Sequence, residues 1–143
     1  MKPKPILIDT DTGVDDAMAL VLAFNSPELS IKAITTVAGN IDVAKCTRNV
    51  ERIIALLSIQ DRPIVAQGAT RPLRLSLVKA SEVHGKDGLG DVPAFLPRSR
   101  NSKHPSAVDT ILRCCDQYES RLTIVAIGPL TNLALAWKKN PRV

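Results

Sequence analysis

Short runs of β-branched and aliphatic residues alternate with longer apolar or amphipathic stretches, and this alternation most limits what the chain can fold into. We predict buried strands at 6–8, 30–37, 63–66 and 122–127. We predict a first helix at 17–24 that Asp15 and Asp16 open, further helices at 43–57 and 106–118, and a last one that follows the turn at 128–132 and ends near 140. In these stretches apolar residues recur at steps of three and four or form one apolar block. Strand and helix in alternation are typical of an α/β fold with an open, mostly parallel sheet and helices on both faces.

The composition limits the partners that a chain of 143 residues could have. A hydrophobic content of 45% is enough for one domain, so we predict a single α/β domain over 1–143. Only one Trp, one Tyr and two Phe are present, so few rings could stack on bases, and the net charge of +5 comes mostly from the amino-terminal stretch, 98–104 and 138–142. We therefore expect no nucleic-acid partner.

The cysteines and apolar runs indicate the compartment. Cys114 and Cys115 are adjacent and poorly placed for a disulfide with each other, and no Cys-x-x-Cys spacing predicts a metal site. The longest apolar run, 17–24, is too short to span a bilayer, and no signal sequence precedes the first aspartate. The sequence predicts a cytoplasmic protein without a membrane contact.

Four aspartates lie within eight residues, between the first predicted strand and the first predicted helix: Asp9, Asp11, Asp15 and Asp16. Two like charges about 5 Å apart repel by about 3 kcal/mol at an effective dielectric constant near 20. The cluster therefore needs a cation, shared protons, or side chains that cap the helix and point to water. Oxygen ligands favour calcium or magnesium, although the loop lacks the glycine and glutamate positions of an EF-hand.

A first interpretation of this turn is a phosphatase. The strand followed by Asp9, Asp11 and Thr12 resembles the haloacid-dehalogenase signature, in which the first aspartate is the nucleophile that accepts the phosphoryl group. This hypothesis gives no role to Asp15 and Asp16.

A second interpretation explains more of the chain. Four stretches, in order, resemble the inosine-uridine preferring nucleoside hydrolase family: DTDTGVDDA at 9–17, AITTVAGN at 33–40, VHGKDGLG at 83–90 and IGPLTNLA at 127–134. The resemblance covers nearly the whole chain and implies a Rossmann-like fold. It also implies hydrolysis of the N-glycosidic bond of ribonucleosides, with calcium as cofactor and a nucleoside as substrate.

The resemblance further implies site residues. Asp11 resembles the residue that touches calcium and takes the proton from the attacking water. Asp16 resembles the second carboxylate ligand, and Ile127 lies where the family offers a backbone carbonyl to the metal. For the substrate, the resemblance implies contacts from Asp15 and Asn40 to the ribose, and from His84 near the base.

Members of this family extend well beyond residue 143, so the resemblance implies that the chain is the amino-terminal part of such an enzyme. Further metal and ribose ligands and the acid that assists the leaving base would then lie outside it, and we expect little or no activity from the chain alone. We expect a homo-oligomer, since an incomplete sheet leaves an edge uncovered. A non-catalytic interaction protein that keeps the fold remains an alternative.

Overall fold

The computed structural model describes residues 2–92, 97 and 103–142. Most of the basic stretch 98–104 lies outside the described residues. The elements, in chain order, are β1 (Lys4–Thr10), α1 (Val14–Phe24), β2 (Leu29–Thr36), α2 (Val43–Leu56), β3 (Ile64–Gln67), α3 (Ser81–His84), α4 (Ala107–Tyr118), β4 (Thr123–Ala126) and α5 (Thr131–Lys139), with a 3₁₀ turn at Glu119–Arg121.

The strands form one parallel sheet in the order β3-β2-β1-β4. Near the carboxyl end of β1, Asp9 lies beside Thr35 of β2 and Ala126 of β4. Every strand runs in the same direction, so the loops that follow them meet at one edge of the sheet, which is where ligands bind in such folds. The predicted α/β fold with a parallel sheet is confirmed.

Alternating side chains of β1 divide the core between the two faces of the sheet. Ile6 and Ile8 pack with the cluster that holds Leu20 of α1 and Ile54 of α2. Leu7, on the opposite face, packs with side chains of α4 and α5, including Ile111, Cys114 and Ala136. Helices therefore cover both faces, as the sequence predicts.

The element ends differ from the predicted ones in places. Helix α1 begins at Val14, and Asp15 and Asp16 lie in its first turn, as predicted for the residues that open it; its N-cap Gly13 provides no side-chain cap. Strand β4 is shorter at both ends than the predicted 122–127. The long connection contains α3, which no periodicity predicts because four residues are too few to form a pattern. Helix α4 begins as predicted, with the Ser106 hydroxyl accepting a hydrogen bond from the Asp109 amide.

Apolar surface remains exposed on several elements, β4 and α1 among them. Within the part of the chain that the structure describes, strand β4 pairs on one side only, and Val125 within it and Ile127 just after it are partly exposed. Helix α1 carries Met18 and Leu22 on its outer side, with 70% and 71% of their surface exposed. All three cysteines are free. Among the described residues no helix is long and apolar enough to cross a bilayer.

Candidate metal and substrate site

A tight turn after β1 sets the position of the acidic residues. The Thr10 hydroxyl accepts a hydrogen bond from the Thr12 amide at 2.9 Å, and Thr12 has a φ of 39°, in the left-handed region. A threonine is rarely found there, because its β-branched side chain crowds the backbone. Both threonines are buried, so the surrounding structure holds the turn in this conformation. The turn places Asp11 directly beyond the carboxyl end of β1.

The Asp11 carboxylate is buried beside the loop that follows β2. Its Oδ2 accepts a hydrogen bond from the backbone amide of Asn40 at 2.7 Å. The Asp11 carbonyl lies 3.0 Å from the thiol of Cys46, which donates to it. Burial raises the pKa of the Cys46 thiol to about 12, and the nearby Asp11 carboxylate adds to this, so the thiol keeps its proton. Asp11 is therefore fixed through both its side chain and its backbone.

Asp16, in the first turn of α1, is the second buried carboxylate of the site. Its Oδ2 accepts a hydrogen bond from the Thr10 hydroxyl at 2.7 Å. Burial raises the pKa of Asp16 to about 6; the Thr10 hydrogen bond opposes this shift, and the carboxyl groups of Asp11 and Asp15 add to it. Among the described residues neither Asp11 nor Asp16 forms an ion pair. The pair therefore carries negative charge that no side chain of this part of the chain offsets.

The raised pKa of Asp16 predicts a pH dependence of stability. Between its ordinary pKa of 3.8 and about 6, the folded chain binds more protons than the unfolded chain does. The contribution of Asp16 to the free energy of unfolding should then fall as pH rises from about 4 to about 6, by up to about 3 kcal/mol. Urea denaturation across this range would measure it. Asp16→Asn should remove this part of the slope, and an unchanged slope in that variant would contradict the assignment.

The three predicted substrate residues lie around Gly13, at the start of α1. A Cβ atom on Gly13 would lie 2.8 Å from Asn40 Nδ2 and 2.8 Å from His84 Nδ1, so only a glycine fits between them. His84 Nδ1 accepts a hydrogen bond from the Val14 amide at 3.3 Å and lies 3.8 Å from Asp15 Oδ1. The Asp15 side chain is 78% exposed and the His84 side chain only 14%. The structure thus brings Asp15, Asn40 and His84 together, with the Asp15 side chain exposed to solvent.

Ile127 follows β4 and is held against the end of β1. Its amide donates to the Asp9 carbonyl at 2.9 Å, and the Gly128 amide donates to the same carbonyl at 3.2 Å. A Cβ atom on Gly128 would lie 2.7 Å from the Asp11 amide nitrogen. This close approach puts the turn that carries Ile127 directly beside Asp11.

Asp9 is fully buried beneath this edge and faces the α4 and α5 side of the sheet. Its Oδ1 accepts hydrogen bonds from the Thr35 hydroxyl and from Asn132 Nδ2, and burial raises the pKa of its carboxyl group. A phosphoryl-accepting nucleophile needs an open line of approach to its carboxylate. Asp9 has none, so its geometry is unfavourable for the phosphatase interpretation.

The donor set fits a hard divalent cation better than a soft one. Asp11 and Asp16 offer carboxylate oxygens, which suit calcium or magnesium, and the turn that carries Ile127 lies beside Asp11. Within residues 2–92, 97 and 103–142 no three His, Cys, Asp or Glu side chains are grouped so that they could hold a metal by themselves. These residues could therefore hold a cation only together with further ligands, and a cation would offset the negative charge of the two carboxylates.

Three residues that support the site had no role in the sequence interpretation. Thr10 donates a hydrogen bond to the Asp16 carboxylate, and Cys46 donates one to the Asp11 carbonyl. Asn132 donates one to the Asp9 carboxylate. Thr10 could have been found as a polar residue at the end of an otherwise apolar strand. Cys46 and Asn132 lie on helices and have no comparable signal, because their partners are distant in sequence.

Known proteins resemble this chain over nearly its whole length. The family model described as inosine-uridine preferring nucleoside hydrolase matches residues 6–143. Uridine nucleosidase 1 of Arabidopsis thaliana is 42% identical over 140 residues, which are 97% of this chain and 41% of that protein. The pyrimidine-specific ribonucleoside hydrolase RihA of Escherichia coli O1:K1 / APEC is 45% identical over 139 residues, 97% of this chain and 44% of that protein.

Solved structures show the same relationship. A plant nucleoside hydrolase, the PpNRh1 enzyme, superimposes with a TM-score of 0.88 at 39% identity, covering 97% of this chain and 44% of its own. A purine-preferring ribonucleoside hydrolase from Gardnerella vaginalis gives a TM-score of 0.88 at 35% identity, covering 97% and 45%. The chain spans less than half the length of these relatives. With a family model that matches residues 6–143, the chain belongs to the inosine-uridine preferring nucleoside hydrolase family.

Proposed function

We propose that the chain forms the metal-binding and ribose-binding half of a nucleoside N-ribohydrolase, which uses water to cut the bond between ribose and a nucleobase. The observation that carries this proposal is the pair of buried carboxylates, Asp11 and Asp16, at the edge where the strands end. They carry charge that no described cation offsets, and they adjoin the exposed carboxylate of Asp15. Family membership supports the same reaction.

In this proposal the metal is calcium. Asp11 and Asp16 provide carboxylate oxygens and Ile127 provides its backbone carbonyl. When bound, calcium would lower the pKa of a coordinated water modestly and hold the ribose hydroxyls by their oxygens. Two carboxylates and one carbonyl are fewer than the six to eight oxygens that calcium prefers. The remaining ligands would come from outside this chain.

In this proposal one side chain activates the attacking water, and others bind the ribose. Asp11, whose Oδ2 is oriented by the Asn40 amide, accepts the proton of the attacking water. The carboxylates stabilise the positive charge that develops on the ribose as the bond to the base breaks. Asp15 and the Asn40 side chain bind ribose hydroxyls, and His84 lies on the side of the base.

The relatives indicate the class of substrate. Their names include a uridine nucleosidase, a pyrimidine-specific hydrolase and a purine-preferring hydrolase. These proteins share a reaction on ribonucleosides while their base preference differs. We accordingly propose a ribonucleoside substrate for this chain, bound through its ribose.

The organisation around the site is also a proposal. The chain would be the amino-terminal portion, 1–143, of a longer α/β domain whose remaining strands extend the sheet from β4. We propose a cytoplasmic homo-oligomer, and the exposed Met18 and Leu22 of α1 are apolar surface that could support self-association.

Ribose release from a chimera tests the proposed reaction. Residues 1–143 would be fused to the remaining part of the Escherichia coli relative, which is 45% identical over the shared region. The chimera should release ribose from uridine or inosine with calcium and lose this activity with a chelator. The chain alone should be at least about 100-fold slower, because it lacks metal ligands.

Two outcomes would count against the proposal. One is a folded, calcium-loaded chimera that releases no ribose, which would favour the non-catalytic interaction protein. The other is magnesium-dependent phosphate release with a labile phosphoryl group on Asp9, the outcome that the phosphatase alternative predicts. As a control, Asp61→Asn removes an exposed carboxylate that precedes β3, at the opposite edge of the sheet, and should leave activity unchanged.

A further inference from the structure

Asn132, in the first turn of α5, is fully buried and forms three hydrogen bonds through its side chain. Its Nδ2 donates to Asp9 Oδ1 at 2.8 Å and to the Thr36 carbonyl at 2.9 Å. Its Oδ1 accepts from the Ala69 amide at 2.9 Å. A side-chain amide has two donor hydrogens and one acceptor oxygen, so every polar atom of Asn132 is used.

The three hydrogen-bond partners of Asn132 lie at or just after the carboxyl ends of three different strands. Asp9 lies in β1, Thr36 ends β2, and Ala69 follows β3, while Asn132 itself is carried by the helix that follows β4. One side chain thus connects the carboxyl ends of all four strands. Gly68 leaves the space for it, because a Cβ atom there would lie 2.2 Å from Asn132 Oδ1.

The connection continues from Asn132 to the two turns that carry proposed metal ligands. Asp9, which Asn132 holds by its carboxylate, accepts the Ile127 and Gly128 amides on its backbone carbonyl. Asp9 also lies two residues before Asp11 in the same strand end. Between these turns, Gly128 packs against the Asp11 amide, with no room for a Cβ atom. The relative position of the Asp11 carboxylate and the Ile127 carbonyl therefore depends on contacts that Asn132 anchors.

We propose that Asn132 is a positioning residue for the metal site: its amide fixes the distance between the Asp11 and Ile127 ligands without touching the metal. This inference rests on the proposed function, since it assumes that these residues bind a divalent cation. A purely structural role would be different. Loss of Asn132 would then lower stability, but the folded fraction would bind calcium as tightly as before.

Calcium titration, followed by NMR chemical shifts of the backbone amides, separates the two roles; it uses the 143-residue chain, or the chimera with the Escherichia coli relative where the chain alone binds calcium too weakly to measure. Asn132→Ser shortens the side chain and leaves room for water. We expect its folded form to bind calcium about 10-fold to 100-fold more weakly than the parent chain. We also expect faster hydrogen exchange at the Ala69 and Ile127 amides without calcium. Asn140→Ser, at the far end of α5, changes a side chain that, among the described residues, accepts one hydrogen bond, from the Arg142 amide, and it should change neither.

A second comparison exchanges the amide of Asn132 with the carboxylate of Asp9. It can be made even if Asn132→Ser does not fold. Asn132→Asp loses the donor to Asp9, whereas Asn132→Asp combined with Asp9→Asn restores one amide-to-carboxylate hydrogen bond in the opposite direction. The double variant should bind calcium more tightly than Asn132→Asp alone. Parent-like calcium affinity in folded Asn132→Ser, or equal affinity in the two exchange variants, would overturn the inference. A folded chimera of the parent chain that binds no calcium would instead reject the proposed function.

Discussion

In the chimera, Asp11→Asn should strongly weaken calcium binding and abolish ribose release, while leaving the metal-free fold at least as stable as the parent. Asparagine has the same shape, and its oxygen can still accept the hydrogen bond from the Asn40 amide. The substitution removes one of two buried carboxylates, so repulsion of Asp16 decreases while a charged metal ligand is lost. We expect calcium affinity to fall by more than about 100-fold, since even residues that only support a ligand cost 10-fold to 100-fold.

Calcium titration and urea denaturation of the same samples measure both halves of this prediction. Asp61→Asn is the matched control, because it removes an exposed carboxylate far from the site and should leave calcium affinity unchanged. Parent-like calcium affinity in Asp11→Asn would show that the ion binds elsewhere. If the variant is unfolded, the Asp11 carboxylate stabilises the fold, and its repulsion of Asp16 is not the dominant effect.

Gly39→Ala should have the second largest effect, although it changes no charged group. A Cβ atom on Gly39 would lie 2.0 Å from Asp11 Oδ2 and 2.8 Å from its Cγ. Asp11 is short and buried, and the Asn40 amide holds its Oδ2, so relief requires that the carboxylate move away. We expect calcium affinity to fall by about 10-fold to 100-fold, as for other changes that displace a ligand by a small distance.

Gly90→Ala provides the comparison for this variant. It adds the same methyl group where nothing lies within 4 Å, at a residue with a φ of +73°. The control should therefore lose about 1 kcal/mol of stability through backbone strain and keep its calcium affinity. Calcium titration of both variants, followed by NMR, measures the two affinities. Equal affinities in Gly39→Ala and Gly90→Ala would mean that the Asp11 carboxylate does not bind the ion in the position described.

The fold, and the acidic residues at the carboxyl ends of the strands, could be predicted from the sequence because both depend on local patterns. The unbroken apolar run Ile6-Leu7-Ile8 already implies a strand that is buried on both faces. In the structure, Ile6 and Ile8 belong to one core cluster and Leu7 to the other. Asp11 and Asp16 stand out because charge beside an apolar run is costly unless it is compensated. The structure places both at the predicted edge of the sheet, buried and close together.

The supporting network could not be derived in the same way, because its partners are far apart in sequence. Asn132 contacts Asp9 across 123 positions and Thr36 across 96. Nothing in a helix that begins with Thr131 and Asn132 shows that one side chain faces three strand ends. The placement of His84 was equally hidden, since it depends on a four-residue helix and on the space left by Gly13.

A crystal structure of the chimera with a bound lanthanide, which substitutes for calcium and scatters anomalously, would show whether Asp11, Asp16 and the Ile127 carbonyl form part of one cation site. We predict a single strong anomalous peak within bonding distance of both carboxylates and of that carbonyl. A peak elsewhere, or none at saturating lanthanide with these residues well ordered, would contradict the account.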